Sequence, residues 1–409
     1  MTSPAGMVPL DGIASLRQDA AGIQGELAAI RRHLHAIPEV GFDLPQTQRV
    51  ILDALEPLGL EVSTGSDLSA VTAVLRGAED GPSVLLRGDM DALAIAEETD
   101  LPFASTNGAM HACGHDLHVA GLIGAARLLA ARRAQIAGSV VFMFQPGEEA
   151  GGGAPLMIGD GVLDAAGARV DAAYGIHVMP GVPGVFQTRA GALMGSANSV
   201  RIRIRGQGGH GSRPYQAVDP VPVVAEVVLA LQTWVTRRFD VFDPVVLTVT
   251  QLFAGEVINA IPDEAGLGAT LRTASNTAVA QVQRELPGLV ARIAAAHGCT
   301  AEVEVRVGYP VTVNSDTEAR GAIETLRAVF GQERVEELPS AIMASEDFSF
   351  VLAEVPGAFV FLGATPEGID PATAEMNHSP RAVFDDIVLG DQAAALAALA
   401  WRHVGRGAL

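Results

Sequence analysis

The sequence predicts an α/β protein: a large sandwich domain with helices on both faces of a sheet, plus an inserted ferredoxin-like α+β domain. Three observations predict it. Short apolar runs bounded by Gly and Pro alternate with helical stretches toward both ends of the chain, as buried strands and their covering helices do. From about Ala197 the order becomes strand, helix, strand, strand, helix, strand, which is the split βαβ arrangement. The first strand of that stretch, Val200-Arg-Ile-Arg-Ile-Arg205, alternates strictly between apolar and charged residues, so one of its faces is wet.

The elements follow in order. Asp11–Ala36 has apolar residues at helical spacing and stops before Pro38. Gln46–Leu58 reads as a second helix, ended by Gly59. Ala70–Leu75 and Val84–Leu86 read as strands, and Leu117–Arg133 as a helix with an apolar face. Ser139–Phe144 and Ala172–Val178 are buried-type strands. In the insertion, helix Pro220–Arg238, strands Val245–Leu252 and Gly266–Thr273, helix Ala278–His297 and strand Ala301–Val307 follow the alternating strand. Helix Thr317–Phe330, strand Ala358–Leu362 and helix Leu389–Val404 then resume the first pattern. The expected domains are residues 1–196, an insertion over 197–308, and 309–409.

Composition excludes several functions. The chain has 409 residues and a formal net charge of −20, with 47 acidic side chains against 27 basic ones. That balance argues against a phosphate-backbone footprint, so no nucleic-acid partner is expected. Every basic residue among the 27 is Arg. A Schiff-base, pyridoxal-phosphate or P-loop lysine is therefore impossible. No apolar run reaches the roughly 18–20 residues that cross a bilayer, and the N-terminal stretch lacks the features of a secretory signal. A soluble, cytoplasmic protein without a membrane partner is expected. Cys113 and Cys299 lie far apart in different contexts, which does not suggest a disulfide framework.

The residues that can carry chemistry cluster after predicted strands, where open α/β sheets bind ligands. His111-Ala-Cys-Gly-His-Asp-Leu-His118 packs three histidines, a cysteine and an aspartate before a helix. Cys113 and His115, two apart in a Gly-containing turn, can converge on one ion. The plainer reading is a polar loop capping the helix. Gln145-Pro-Gly-Glu-Glu-Ala-Gly151 places Glu148 and Glu149 at a strand end. One carboxylate can bind a metal while the other accepts a proton; alone, the pair could be a solvated acidic turn. His177 ends an apolar strand and His378 lies in a loop before the last helix. Each could be structural by itself. Asp89 and Asp91 end another strand, where they could orient a ligand histidine or cap the next segment. In the insertion, His210 sits between glycines and could stabilise an oxyanion. Arg272 could fork onto a carboxylate, and Asn259 precedes Ala260-Ile-Pro262.

These motifs, in this order, resemble the metal-dependent amidohydrolases of the aminoacylase/carboxypeptidase superfamily, and most closely the hippurate hydrolase and indole-3-acetyl-amino-acid hydrolase branch. The matching strings are Arg32–Glu39, Asp89–Leu93, His111–His118, Pro146–Glu149, Gly175–His177, Gly208–Gly211, Asn259–Asp263, Ser345–Phe348 and Asn377–Ser379. The resemblance spans nearly the whole chain. It implies two divalent metal ions (Mn, Zn, Ni or Co) held by Cys113, His115, Glu149, His177 and His378. Cys113 would bridge, with His115 and His177 on one ion and Glu149 and His378 on the other. Glu148 would be the general base, and Asp91 a carboxylate behind the ligands. Related peptidases have a ligand histidine where this chain has Asp89, which puts a metal role for Asp89 in doubt. The insertion would be a lid and the surface of a homodimer, with His210 serving the partner subunit and Asn259 and Arg272 contacting substrate. The implied reaction is hydrolysis of the amide bond of an N-acyl amino acid. Dipeptides, N-acetyl-diaminopimelate, aminobenzoyl-glutamate and N-carbamoyl amino acids are alternatives on the same machinery. A non-catalytic metal-binding protein and a redox thiol enzyme are the alternatives of other classes.

Overall fold

The computed structural model describes residues 11–406. Two compact units form. One comprises the described residues up to Gly191 together with Val313–Pro339 and those from Phe350 onward; the other comprises Ala192–Thr312 and Ser340–Ser349.

In chain order the helices are α1 (Asp11–Ala36), α2 (Pro45–Leu55), α3 (His115–Ala130), α4 (Gly153–Gly159), α5 (Pro220–Arg238), α6 (Asn276–Ala296), α7 (Asp316–Phe330), α8 (Phe348–Glu354) and α9 (Leu389–Val404). The principal strands are β1 (Glu61–Thr64), β2 (Val71–Arg76), β3 (Glu79–Asp89), β4 (Ala137–Gln145), β5 (Ala172–Met179), β6 (Phe186–Thr188), β7 (Ala197–Arg205), β8 (Val245–Ala254), β9 (Glu264–Thr273), β10 (Thr300–Tyr309), β11 (Val335–Glu337) and β12 (Gly357–Gly363).

The first unit is built on an eight-stranded mixed sheet in the order β1-β2-β4-β3-β5-β12-β6-β11. Its middle strands β4, β3, β5 and β12 run parallel. They are buried along most of their length, as parallel strands covered by helices must be. Helix α1 presents Leu16, Ala20, Leu27 and Leu34 inward, each fully buried, and packs with α3 and α9; α7 packs against α9. The near-continuous alanine run of α9 is buried, which lets the helices approach closely. Helix α2 stops at Leu55 and a 3₁₀ turn covers Glu56–Leu58. Sequence periodicity predicts one helix through Leu58, but Pro57 supplies no backbone N–H to continue it.

The second unit holds the expected split βαβ order. Its antiparallel sheet runs β8-β9-β7-β10, and β7 buries Val200, Ile202 and Ile204 while Arg201, Arg203 and Arg205 stay exposed. Helices α5 and α6 contribute Val223, Val227, Leu231, Val282, Leu286 and Val290 to its core. Position in the sequence places residues 340–349 in the large domain, whereas they fall in the second unit. The backbone N–H of Ile342 donates to the Leu193 carbonyl at 3.0 Å, and that of Gly195 to the Ile342 carbonyl at 2.9 Å. Such a return pairing has no local sequence signal.

Candidate metal centre

Strands β3, β4 and β5 lie side by side and parallel, with Asp89 level with Gln145 in the register. Their carboxyl ends deliver the candidate residues to one place. Asp91 follows β3, Glu148 and Glu149 follow β4, and His177 is near the end of β5. Turn 111–114 enters α3 through Gly114, whose φ is +86°. A Cβ there would lie 2.3 Å from Cγ2 of Val178. Glycine thus allows both the left-handed turn and the close approach of this turn to β5.

Within the first unit, three sets of ligand atoms form among the described residues, each within 4.8 Å: Asp89 with His115, His118 and His177; Cys113 with Glu149 and His378; and His115 with Glu148 and Glu149. The five expected ligands of the first unit and Glu148 thus occupy adjoining positions.

Hydrogen bonds decide which nitrogens face the ligand positions. Nδ1 of His115 donates to the Asp91 carbonyl oxygen at 2.9 Å, and its Nε2 is buried without a hydrogen-bond partner. Nδ1 of His177 donates to the Val178 carbonyl at 2.7 Å, and its Nε2 lies 3.5 Å from Cys113 Sγ. His378 Nε2 is 2.8 Å from Glu149 Oε1. His118 differs. Its Nδ1 is bonded to Asp89 and its Nε2 accepts from the Val178 N–H at 2.8 Å, so both nitrogens are committed. Burial lowers its pKa to about 4, which keeps it neutral. Asp89 in turn is paired with the buried Arg87 at 2.6 Å. His118 and Asp89 are thereby supports of this site.

The Asp91 carboxylate accepts the backbone N–H of Glu148 at 3.0 Å and that of Glu149 at 3.1 Å. It therefore fixes the turn carrying both glutamates, while the carbonyl of the same residue orients His115. Burial opposes ionisation of Cys113, but the charge of His177 and the imidazoles gathered around the sulfur outweigh it and hold the thiol well below its ordinary pKa. Hydrogen bonds to Cys113 and Glu149 push His378 up to about 10. A thiolate, imidazole nitrogens and a carboxylate, with one buried imidazole nitrogen unpartnered, suit two borderline divalent cations.

The other expected residues lie in the second unit. His210 is exposed and pairs in a two-residue ladder with Ala260. Its Nδ1 accepts from the Ser212 N–H at 3.1 Å and contacts the Ser212 hydroxyl at 2.8 Å. An N–H can only donate, so in the neutral ring the proton sits on Nε2. Asn259 is exposed, and its carbonyl accepts from Gly211 N–H at 2.8 Å. Arg272 Nη1 donates to Ser345 Oγ at 2.9 Å.

Two features behind the site escaped sequence reasoning. Arg31 and His35, four apart on α1, are buried. Arg31 Nε lies 2.7 Å from Asp116 Oδ2. His35 reaches Asp116 through Nδ1 at 2.8 Å and Glu97 through Nε2 at 3.2 Å. The segments flanking the ligand turn are thus tied to α1. The signal available was a charged i, i+4 pair in a mostly apolar helix face. Removing one member of a buried ion pair leaves the other uncompensated, at about 3–5 kcal/mol. Arg31→Met is therefore expected to lower unfolding free energy by that amount in urea denaturation; a loss under about 1 kcal/mol would contradict the arrangement. The second feature is Asn377, whose side-chain amide lies against Cys113 and the Val178 carbonyl.

The profile of peptidase family M20/M25/M40 matches residues 85–401. Thermostable carboxypeptidase 1 of Saccharolobus solfataricus is 36% identical over 397 residues, covering 96% of this chain and 98% of the relative. IAA-amino acid hydrolase ILR1-like 2 of Arabidopsis thaliana is 36% identical over 385 residues, covering 92% and 85%. Among solved structures, the Bacillus subtilis YXEP protein, described as a dinuclear metal binding peptidase from the M20 family, superposes with a TM-score of 0.79 at 33% identity, covering 93% of this chain and 98% of that one.

Proposed function

The chain belongs to peptidase family M20/M25/M40 and is a metal-dependent amide hydrolase; on that premise we propose that it releases amino acids from N-acyl amino acids, with Glu148 as general base. One observation carries the assignment of the base. The Glu148 carboxylate is buried within 4.8 Å of ligand atoms of His115 and Glu149, on a turn that Asp91 holds by two backbone amides.

Cys113, His115, Glu149, His177 and His378 would hold the two ions, with Cys113 shared between them. Bound there, Mn, Zn, Ni or Co would supply a polarised carbonyl and a water acidic enough to react near neutrality. Glu148 accepts that water's proton and returns it to the leaving nitrogen. Asp91 keeps the turn from shifting as Glu148 changes charge. A thiolate ligand suits a reducing compartment, so the reading places the enzyme in the cytoplasm.

We read the second unit as a lid and as the surface joining two copies. Its edge strand β8 leaves Leu252 and Phe253 exposed, and an apolar unpaired edge invites a partner. His210, with its proton on Nε2, would donate to the oxyanion in the partner subunit's site, and Asn259 and Arg272 would contact substrate. His210→Ala is expected to lower kcat about 10²–10³-fold with little change in KM. Co-refolding His210→Ala with Glu148→Gln should regain activity through mixed dimers. No recovery would mean that His210 does not act across the interface.

The substrate class is tested on a panel of N-acetyl, N-benzoyl and indole-3-acetyl amino acids beside dipeptides, N-carbamoyl amino acids, N-acetyl-diaminopimelate and aminobenzoyl-glutamate. The reading expects the N-acyl amino acids to have the highest kcat/KM. A preference for dipeptides would favour the carboxypeptidase reading that the Saccharolobus solfataricus relative suggests.

A further inference from the structure

Asn377 lies in the loop before α9, next to His378. Its Nδ2 lies 3.2 Å from the Cys113 carbonyl oxygen, 3.7 Å from Cys113 Sγ and 3.3 Å from the Val178 carbonyl oxygen. Two N–H hydrogens therefore serve three acceptors. Each acceptor belongs to the metal centre. Cys113 Sγ is the shared ligand of the reading above. The Val178 carbonyl also accepts from Nδ1 of His177 and so sets which nitrogen of that ring faces the site. Beside Asn377, His378 has a left-handed backbone, φ +72°, the one non-glycine residue with positive φ among those described. Its N–H donates to the Ala112 carbonyl at 2.9 Å. The loop is thus stitched to the ligand turn through both Asn377 and His378.

We propose that Asn377 is a positioning residue that donates an N–H···S hydrogen bond to the Cys113 thiolate, tuning its donor strength toward the metals while holding His177 and His378 in register. This inference rests on Cys113 being a ligand. Sulfur is a weak hydrogen-bond acceptor as a thiol, but a thiolate accepts a charge-assisted bond, which draws electron density from sulfur. A thiolate that loses this bond is more electron-rich, so a ligand-to-metal charge-transfer transition needs less energy.

The test uses the full chain loaded with cobalt(II). The wild-type protein should show a near-ultraviolet thiolate-to-cobalt band. In Asn377→Ala that band should move to longer wavelength, and cobalt affinity, measured by competition with a chelator, should fall about 10–100-fold. Asn377→Gln, which keeps an N–H donor, should recover part of the shift. An affinity loss with an unmoved band would overturn the proposal, because a merely structural role leaves the sulfur electronics alone. Absence of any thiolate band in the wild-type protein would instead refute Cys113 as a ligand. If Asn377→Ala does not fold, wild-type protein loaded with an NMR-active cadmium isotope decides the point. A scalar coupling between cadmium and an Asn377 side-chain amide proton supports the bond, and its absence overturns it.

Discussion

Replacing Glu148 with Gln is expected to reduce kcat by about 10²–10⁴-fold, the range that a positioned general base contributes, while two ions remain bound per chain. The substitution keeps the side chain's size and removes its ability to take a proton. The backbone N–H of residue 148 still reaches the Asp91 carboxylate, so the turn carrying Glu149 should stay in place. Metal content by elemental analysis, together with steady-state kinetics, separates the two roles. A fall in bound metal matching the fall in rate would make Glu148 a ligand. A loss of less than about tenfold in kcat, with metal intact, would mean that another group accepts the proton.

Cys113→Ala is expected to abolish binding of at least one ion and to cost at least about 10²–10³-fold in kcat/KM, since several kcal/mol of charge stabilisation goes with a catalytic cation. Cys113 Sγ is close to His177 and is grouped with Glu149 and His378, so its loss touches both halves of the site. Isothermal titration of the chelator-treated variant with manganese or zinc checks this. Retention of two tight sites would show that Cys113 is not a shared ligand and would shift the account toward the surrounding histidines and carboxylates.

Much of this arrangement was legible before the fold was known. The paired carboxylates at 148–149 follow the apolar run that forms β4, and the density of ligand types in 111–118 marks the turn that enters α3. The alternation of Val200–Arg205 announced a different kind of strand, and β7 has one buried face and one exposed face. His177 and His378 are weak candidates on their own, each able to be structural, and it is the family resemblance that gives them ligand roles. What was not legible depends on contacts far apart in the chain. Asn377 meets Cys113 across 264 positions, and nothing local marks that amide as different from a loop asparagine. His35 looks like one more polar residue on α1 until Asp116 and Glu97 are brought to either side of it. The short strands β1, β6 and β11 also went unread. Each has three or four residues, too few for periodicity to register.

The central claim is that these residues hold two ions and that amide hydrolysis depends on both. Protein stripped with chelator under reducing conditions should be titrated with manganese or zinc while release of an amino acid from its N-acyl derivative is followed in the same samples. The account predicts saturation near two equivalents per chain, with activity reaching its plateau only as the second site fills. Saturating metal with no binding, or hydrolysis that proceeds undiminished in the stripped protein, would contradict it.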